Sequence, residues 1–240
     1  MFDVSRQNRK TWPQAIVFDL DGTLIDSAGD IARALNTAMS NRGFPPFEMA
    51  KVKEMIGGGI PKLIERAFLS HGLTRVDLMP VVADFIAAYS ADPIAATTLY
   101  DGALPLLQRL HADGVKIALC TNKQQQISED ILRRLDIHHF FASIVGERDG
   151  LPRKPDPEPL LLALRELGVA PGQAVMVGDS GADSGTAKAA GVPLVLVSYG
   201  YTHTPVGELA PDAVIDHLDQ LDATLAELAA KFPMAHKTHE

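Results

Sequence analysis

The chain has 240 residues, 46% of them hydrophobic, with 22 Lys and Arg against 30 Asp and Glu and a formal net charge of -8. That length allows one large α/β domain, or a domain with an insert, around a sizeable core. The acidic balance argues against nucleic acid or an anionic membrane as the main partner, so an anionic substrate must be attracted locally.

The first informative element is the apolar run Ala15 to Phe18, which reads as a strand buried on both faces, as in parallel sheets. It leads straight into Asp19-Leu20-Asp21-Gly22-Thr23. Side chains at i and i+2 of an extended chain point the same way, so Asp19 and Asp21 leave the strand end together. At about 4 Å and an effective dielectric near 20, two carboxylates repel by roughly 4 kcal/mol, and such a pair needs a cation or a shared proton. An Asp-Gly surface turn using Asp21 and Gly22 is the plainer alternative.

From about Ser27 to about Ala96 no buried strand pattern occurs, only helical periodicity: Ile31, Leu35, Ala38 and Met39; Leu63, Ile64, Ala67 and Phe68; Val81, Val82, Phe85, Ile86 and Tyr89. Ser27 with Asp30 reads as a capping box, and Gly43 as the C′ residue of that first helix. This stretch is expected to be a helical insert, 28–96, placed where it can cover the strand-end site, although an unrelated appendage has the same pattern. Gly57, Gly58 and Gly59 precede a helix start at Ile60-Pro61, where free N-H groups could face a small anion or simply form a flexible turn. Lys53, Lys62 and Arg66 are the nearest cations in the insert for a substrate carboxylate; each also suits a solvated surface.

Four further apolar runs follow: Val115 to Cys120, Ala142 to Val145, Ala174 to Val177, and Val192 to Val197. They alternate with helical patterns, which implies a parallel sheet with helices on both faces. Cys120 is the single cysteine, excludes an internal disulfide, and reads as a small buried hydrophobe. Three more groups carry chemistry. Thr121-Asn122-Lys123 ends the second run with a hydroxyl and N-H groups ahead of a helix, suited to phosphate or to helix capping. Lys154 stands before Pro155-Asp156-Pro157, extended by its proline, with Asp156 as N-cap and Pro157 at the first helical position. Gly178-Asp179-Ser180 with Asp183 puts two carboxylates on a glycine turn and the next helix's first turn, a hard-oxygen set suited to Mg²⁺ or, for Asp183, to a helix N-terminus. In an open α/β sheet all of these would meet at one edge.

This constellation resembles the haloacid dehalogenase superfamily of phosphatases. The resemblance spans about Ala15 to about Leu228 and rests on Asp19 to Thr23, Thr121, Lys154, and Gly178-Asp179-Ser180 with Asp183. It implies a Rossmann-like, doubly wound α/β core (1–27 and 97–240) with an inserted C1-type helical cap (28–96). It also implies Mg²⁺-dependent hydrolysis of a small phosphomonoester through an aspartyl-phosphate, with Asp19 as nucleophile and Asp21 as general acid/base. Thr121, the Asn122 amide and Lys154 would hold the phosphoryl group. Asp19, the Asp21 carbonyl and Asp179 would hold the metal, with Asp183 a ligand through water or an orienter. The acid at Asp21 argues against carbon-halogen hydrolysis.

Gly57 to Gly59, the tract Lys154 to Leu160, and Val197 to Tyr201 followed by Pro211-Asp212 look most like bacterial phosphoglycolate phosphatases, which makes 2-phosphoglycolate the leading expected substrate. A phosphosugar mutase of the same superfamily is the alternative, as is a phosphatase for a sugar phosphate, muramic acid 6-phosphate or pyrophosphate. No apolar stretch nears the roughly 20 residues of a membrane span, and Met1 to Gln14 lack an apolar signal core. A cytoplasmic monomer or homodimer with no nucleic-acid or membrane partner is therefore expected. The tail from about Lys231 is expected to fray.

Overall fold

The computed structural model describes residues 12–202 and 204–231. The expectations for residues before 12 and for the tail beyond Lys231 lie outside the described residues. β1 (Ala15–Phe18) runs through the middle of a six-stranded sheet. A two-residue strand, β2 (Ile25–Asp26), leads into four helices: α1 (Ala28–Ser40), α2 (Met49–Lys53), α3 (Ile60–Ser70) and α4 (Met79–Ala91). The chain returns through β3 (Thr98–Leu99), which pairs antiparallel with β2. After it come α5 (Ala103–Ala112), β4 (Lys116–Gln124), α6 (Gln125–Arg134), β5 (Ser143–Glu147), α7 (Glu158–Leu167), β6 (Ala174–Gly178), α8 (Gly181–Ala190), β7 (Leu194–Val197), β8 (Ala213–Ile215) and α9 (Leu221–Lys231).

The sheet order is β5-β4-β1-β6-β7-β8, and every pairing in it is parallel. The chain winds outward from β1 in both directions, which places a crevice beyond the carboxyl ends of β1, β4 and β6. Strand alternation sorts the core into two faces. Ile16, Phe18, Ile117, Leu119, Val175 and Val177 pack with the apolar sides of α5, α6 and α9. Ala15, Val17, Ala118, Cys120, Val145 and Met176 pack with Leu160, Ala163 and Leu164 of α7 and Ala187 of α8. Cys120 is buried as expected, and burial pushes its thiol up to about 12, far from reactivity.

The inserted helices α1 to α4 bury their own stripes against one another, with Leu35, Met39, Ile64, Ala67, Phe85 and Tyr89 inside. Several local expectations are corrected. Ser27 stands at the N-cap of α1 but makes no capping bond: its hydroxyl donates 2.5 Å to Asp21 Oδ1. Asp30 does not close a box either, because its Oδ2 accepts from the Ala96 N-H (2.9 Å) and the Thr97 hydroxyl (2.8 Å) at the far end of the insert. A distant partner outcompetes the local one. Gly43 has the expected positive φ of 80° but lies beyond the C′ position, since α1 is capped by Asn41. Helix α7 starts one residue late, with Pro157 as N-cap, while Asp156 Oδ1 still accepts from the Glu158 N-H at 2.9 Å. The strand expected to end at Cys120 continues irregularly to Gln124.

Candidate active site

The acids sit where the strands end. Asp19 follows β1 directly, its N-H bonded to the Val177 carbonyl (2.9 Å), so that it stands beside the end of β6. Gly22, at φ 84°, turns the chain back, and a Cβ there would fall on the Asp179 carboxylate. A Cβ at Gly200 would fall on the same carboxylate. Asp179 is thus held in a cradle that two glycines keep open. Carboxylate oxygens of Asp19, Asp179 and Asp183 lie within 4.8 Å of one another, and all three side chains are buried.

Their charges have one compensating cation at hand. Lys154, 5% exposed, places Nζ 2.9 Å from Asp19 Oδ1 and 2.6 Å from Asp183 Oδ1, and donates to the Cys120 carbonyl at 2.8 Å. Burial opposes the lysine's charge, but Asp183 and Asp19 outweigh it and raise its pKa. Burial lifts the Asp19 carboxyl to about 6 against the pull of Lys154. Asp179 is raised well above the carboxylate range by burial and then by Asp183 and Asp19. Three acids against one lysine leave a net negative pocket, in which Asp19 Oδ1 is answered by the Lys154 ion pair alone. A hard cation beside Asp19 and Asp179 fits that donor set.

Asp183 is already satisfied. Its Oδ1 takes Lys154, and its Oδ2 accepts from the Asp179 N-H (3.2 Å), the Ser180 N-H (3.0 Å) and the Ser180 hydroxyl (2.6 Å). It closes the capping box at the start of α8. Asn122 plays a similar supporting part. Its side chain bonds both the N-H (2.9 Å) and the carbonyl (3.0 Å) of Lys154, fixing the lysine's backbone against the end of β4. The Thr121 hydroxyl accepts from the Lys123 N-H at 3.2 Å.

Two residues were missed by the sequence reading. Lys123 puts Nζ 3.0 and 3.2 Å from the two oxygens of Asp21 and 2.8 Å from the Tyr89 hydroxyl. Tyr201 donates its N-H to Asp179 Oδ2 (2.6 Å) and its hydroxyl to Asp26 Oδ1 (2.7 Å). Both were visible in quoted motifs, but a tertiary bridge has no sequence period to betray it.

A cavity of about 440 Å³ connects these groups to the inserted helices. Asp19, Asp21, Thr121, Asn122, Lys154 and Asp179 line its floor; Ile31, Gly57 to Gly59, Leu63, Arg66 and Phe85 line its roof. Arg66 Nη1 straps the glycine loop through the carbonyls of Met55 (2.8 Å) and Gly57 (2.6 Å). Of the other cap cations, Lys62 pairs with Glu65 (2.6 Å) and Lys53 with Asp26 (3.5 Å), and neither lines the cavity.

A parallel sheet with acids at the ends of β1 and β6 and a helical insert over them defines a hydrolase class. The sequence pattern of the haloacid dehalogenase-like hydrolases matches residues 16–197, and the chain belongs to that family. Its relatives place it among the phosphoric monoester hydrolases: it is 42% identical over 215 residues to a phosphoglycolate phosphatase of Rhodospirillum rubrum, covering 87% of this chain and 89% of that one. It is 42% identical over 218 residues to a phosphoglycolate phosphatase of Cereibacter sphaeroides, covering 90% and 99%. A solved structure from Haemophilus somnus, described as a predicted phosphoglycolate phosphatase, superposes with a TM-score of 0.83 at 28% identity over 89% of this chain and 98% of that one. Among the described residues no helix is long and apolar enough to cross a membrane.

Proposed function

We propose that the protein is a Mg²⁺-dependent phosphatase that hydrolyses 2-phosphoglycolate through an aspartyl-phosphate. The observation that carries the reading is the buried group of Asp19, Asp179 and Asp183 around Lys154. Asp19, the Asp21 backbone carbonyl and Asp179 would hold the cation, while Asp183, its oxygens already engaged, orients Lys154 and the turn at Ser180. A cation held there would supply charge neutralisation toward the phosphate dianion.

The chain's own groups do the rest. The Asp19 carboxylate attacks phosphorus in line, and the bond to the ester oxygen breaks with its electron pair on that oxygen. Asp21 protonates the leaving oxygen and then takes a proton from the water that attacks the aspartyl-phosphate, which releases phosphate and restores Asp19. Lys154, Thr121 and the Asn122 amide hold the phosphoryl oxygens as charge develops.

The roof supports a small, doubly anionic substrate. Lys154 faces Asp19 and Asp183, and Lys123 faces Asp21, whereas Arg66 has no carboxylate partner among the described residues. In this reading Arg66 and the N-H groups of Gly57 to Gly59 receive the substrate carboxylate while its phosphate rests on the floor. The insert, 28–96, is the cap that sets this selection, and a cytoplasmic location suits a free small metabolite.

The test is phosphate release from 2-phosphoglycolate, hexose phosphates, nucleoside monophosphates, muramic acid 6-phosphate and pyrophosphate, with Mg²⁺ and with chelator. Release is expected to be fastest from 2-phosphoglycolate, to need Mg²⁺, and to vanish in Asp19→Asn. Isomerisation of a hexose 1-phosphate without phosphate release would instead establish a mutase.

A further inference from the structure

Lys123 stands at the boundary between floor and roof and has no part in the phosphate seat described above. Its side chain is 10% exposed, and a lysine so enclosed requires an anionic partner. That partner is Asp21, reached through both oxygens at 3.0 and 3.2 Å. The same ammonium donates to the Tyr89 hydroxyl at 2.8 Å and lies 4.4 Å from the centre of the Tyr89 ring. Tyr89 belongs to α4, is 2% exposed, and stacks on Phe85 at 5.7 Å, so its ring is fixed in the packing of the inserted helices. Asp21 Oδ1, the nearer of the two oxygens to Lys123, also accepts from the hydroxyl of Ser27, the residue just before the insert.

We propose that Lys123 is a positioning residue: it holds the Asp21 carboxylate in its working orientation and, through Tyr89, makes that orientation depend on the cap being seated over the cavity. Lifting α4 removes a hydroxyl and a ring face from the ammonium and admits water. The Lys123 to Asp21 pair then becomes a solvated ion pair of little orienting value. Seating the cap restores both, so the acid is aligned only when the cavity is closed around an ester. The inference rests on the acid/base role proposed for Asp21. In that step the bond between phosphorus and the ester oxygen breaks, its electron pair stays on the oxygen, and the Asp21 proton moves there, leaving a carboxylate beside the Lys123 ammonium.

The consequence is a dependence on the leaving group. Glycolate leaves as an alkoxide and needs the proton; acetate, whose conjugate acid has a pKa near that of a side-chain carboxyl, does not. Rapid-quench measurement of the first turnover with Mg²⁺ compares 2-phosphoglycolate with acetyl phosphate, which is equally small. Lys123→Met is expected to slow glycolate release by about 10²-fold, within the range of general acid catalysis, and acetate release by less than about threefold. Tyr89→Phe keeps the ring and loses the hydroxyl; it should give a smaller loss of about three- to tenfold with the same leaving-group dependence. In an Asp21→Asn background Lys123→Met should add nothing, because both act on one proton transfer.

Equal losses on both substrates would mean a purely structural lysine and would overturn the proposal, as would additive losses with Asp21→Asn or unchanged rates in Lys123→Met. Normal glycolate release by Asp21→Asn alone would remove the acid/base assignment itself. That outcome is separable from one in which Asp21 matters and Lys123 does not.

Discussion

The floor of the cavity is built from charges that answer one another, with Lys154 between Asp19 and Asp183 and Lys123 on Asp21, while the roof is apolar side chains, glycine backbone and the single guanidinium of Arg66. Removing a floor charge strands its buried partner, which makes the reactive groups and the local stability one property. Changing the roof strands nothing comparable: Arg66 is tied to backbone carbonyls, and Gly57 and Gly58 are exposed. In the proposed reading, chemistry is therefore fixed below and selection is adjustable above.

The harshest test of that contrast is Lys154→Met. It leaves Asp19 and Asp183 buried without their cation, and breaking such an arrangement costs about 3–5 kcal/mol. Urea unfolding should show that loss together with a fall in turnover of at least about 10²-fold. Lost activity at unchanged stability would break the comparison, because it would make the floor as tolerant as the roof.

Arg66→Met probes the other side. One charge-assisted contact is worth about 1.5–3 kcal/mol, so KM for 2-phosphoglycolate should rise by about ten- to a hundredfold. KM for ethyl phosphate, which has no carboxylate, should move by less than about threefold. An equal rise for both substrates would mean that Arg66 only straps the glycine loop.

The same contrast explains what could be read in the sequence. Strands β1, β4, β5, β6 and β7 announce themselves because strands buried on both faces are continuous apolar runs, and the acids after β1 and β6 stand out against such runs. Lys154 is legible through the prolines that frame it. β8 was not, being three residues with one outward position, and the two-residue strands β2 and β3 and the five-residue α2 are too short for a period to repeat. At the site, what the sequence did not show were the bridges to distant segments: Asn122 clamps Lys154 and Lys123 joins Asp21 to Tyr89, whereas the orienting part of Asp183 was one of its two expected roles. Composition names the reactive atoms; only the fold shows which of them are holding others still.

The mildest test falls on the joint between the two regions. Asp30, with its side chain fully buried, binds the Ala96 N-H and the Thr97 hydroxyl, and thereby ties the first helix of the insert to the segment that leaves it. Its other oxygen accepts from Arg33 at 3.2 Å, and Arg33 donates to the Ala88 carbonyl at 3.0 Å and to that of Asp92. Asp30→Ala strands these donors and should destabilise the protein by about 1–3 kcal/mol. Burial alone would raise the Asp30 pKa, but the bonds from Ala96, Thr97 and Arg33 outweigh it and hold the carboxyl below its ordinary 3.8. A depressed folded pKa means that the contribution is complete above the unfolded value and is lost as pH falls through the folded one. The stability gap between wild type and Asp30→Ala, followed by urea unfolding across acid pH, should therefore be constant near neutrality and close only on the acid side. A gap that widened on acidification would show the carboxyl to be held protonated. The joint would then be a neutral hydrogen-bonded hinge, and paired charges would be confined to the floor.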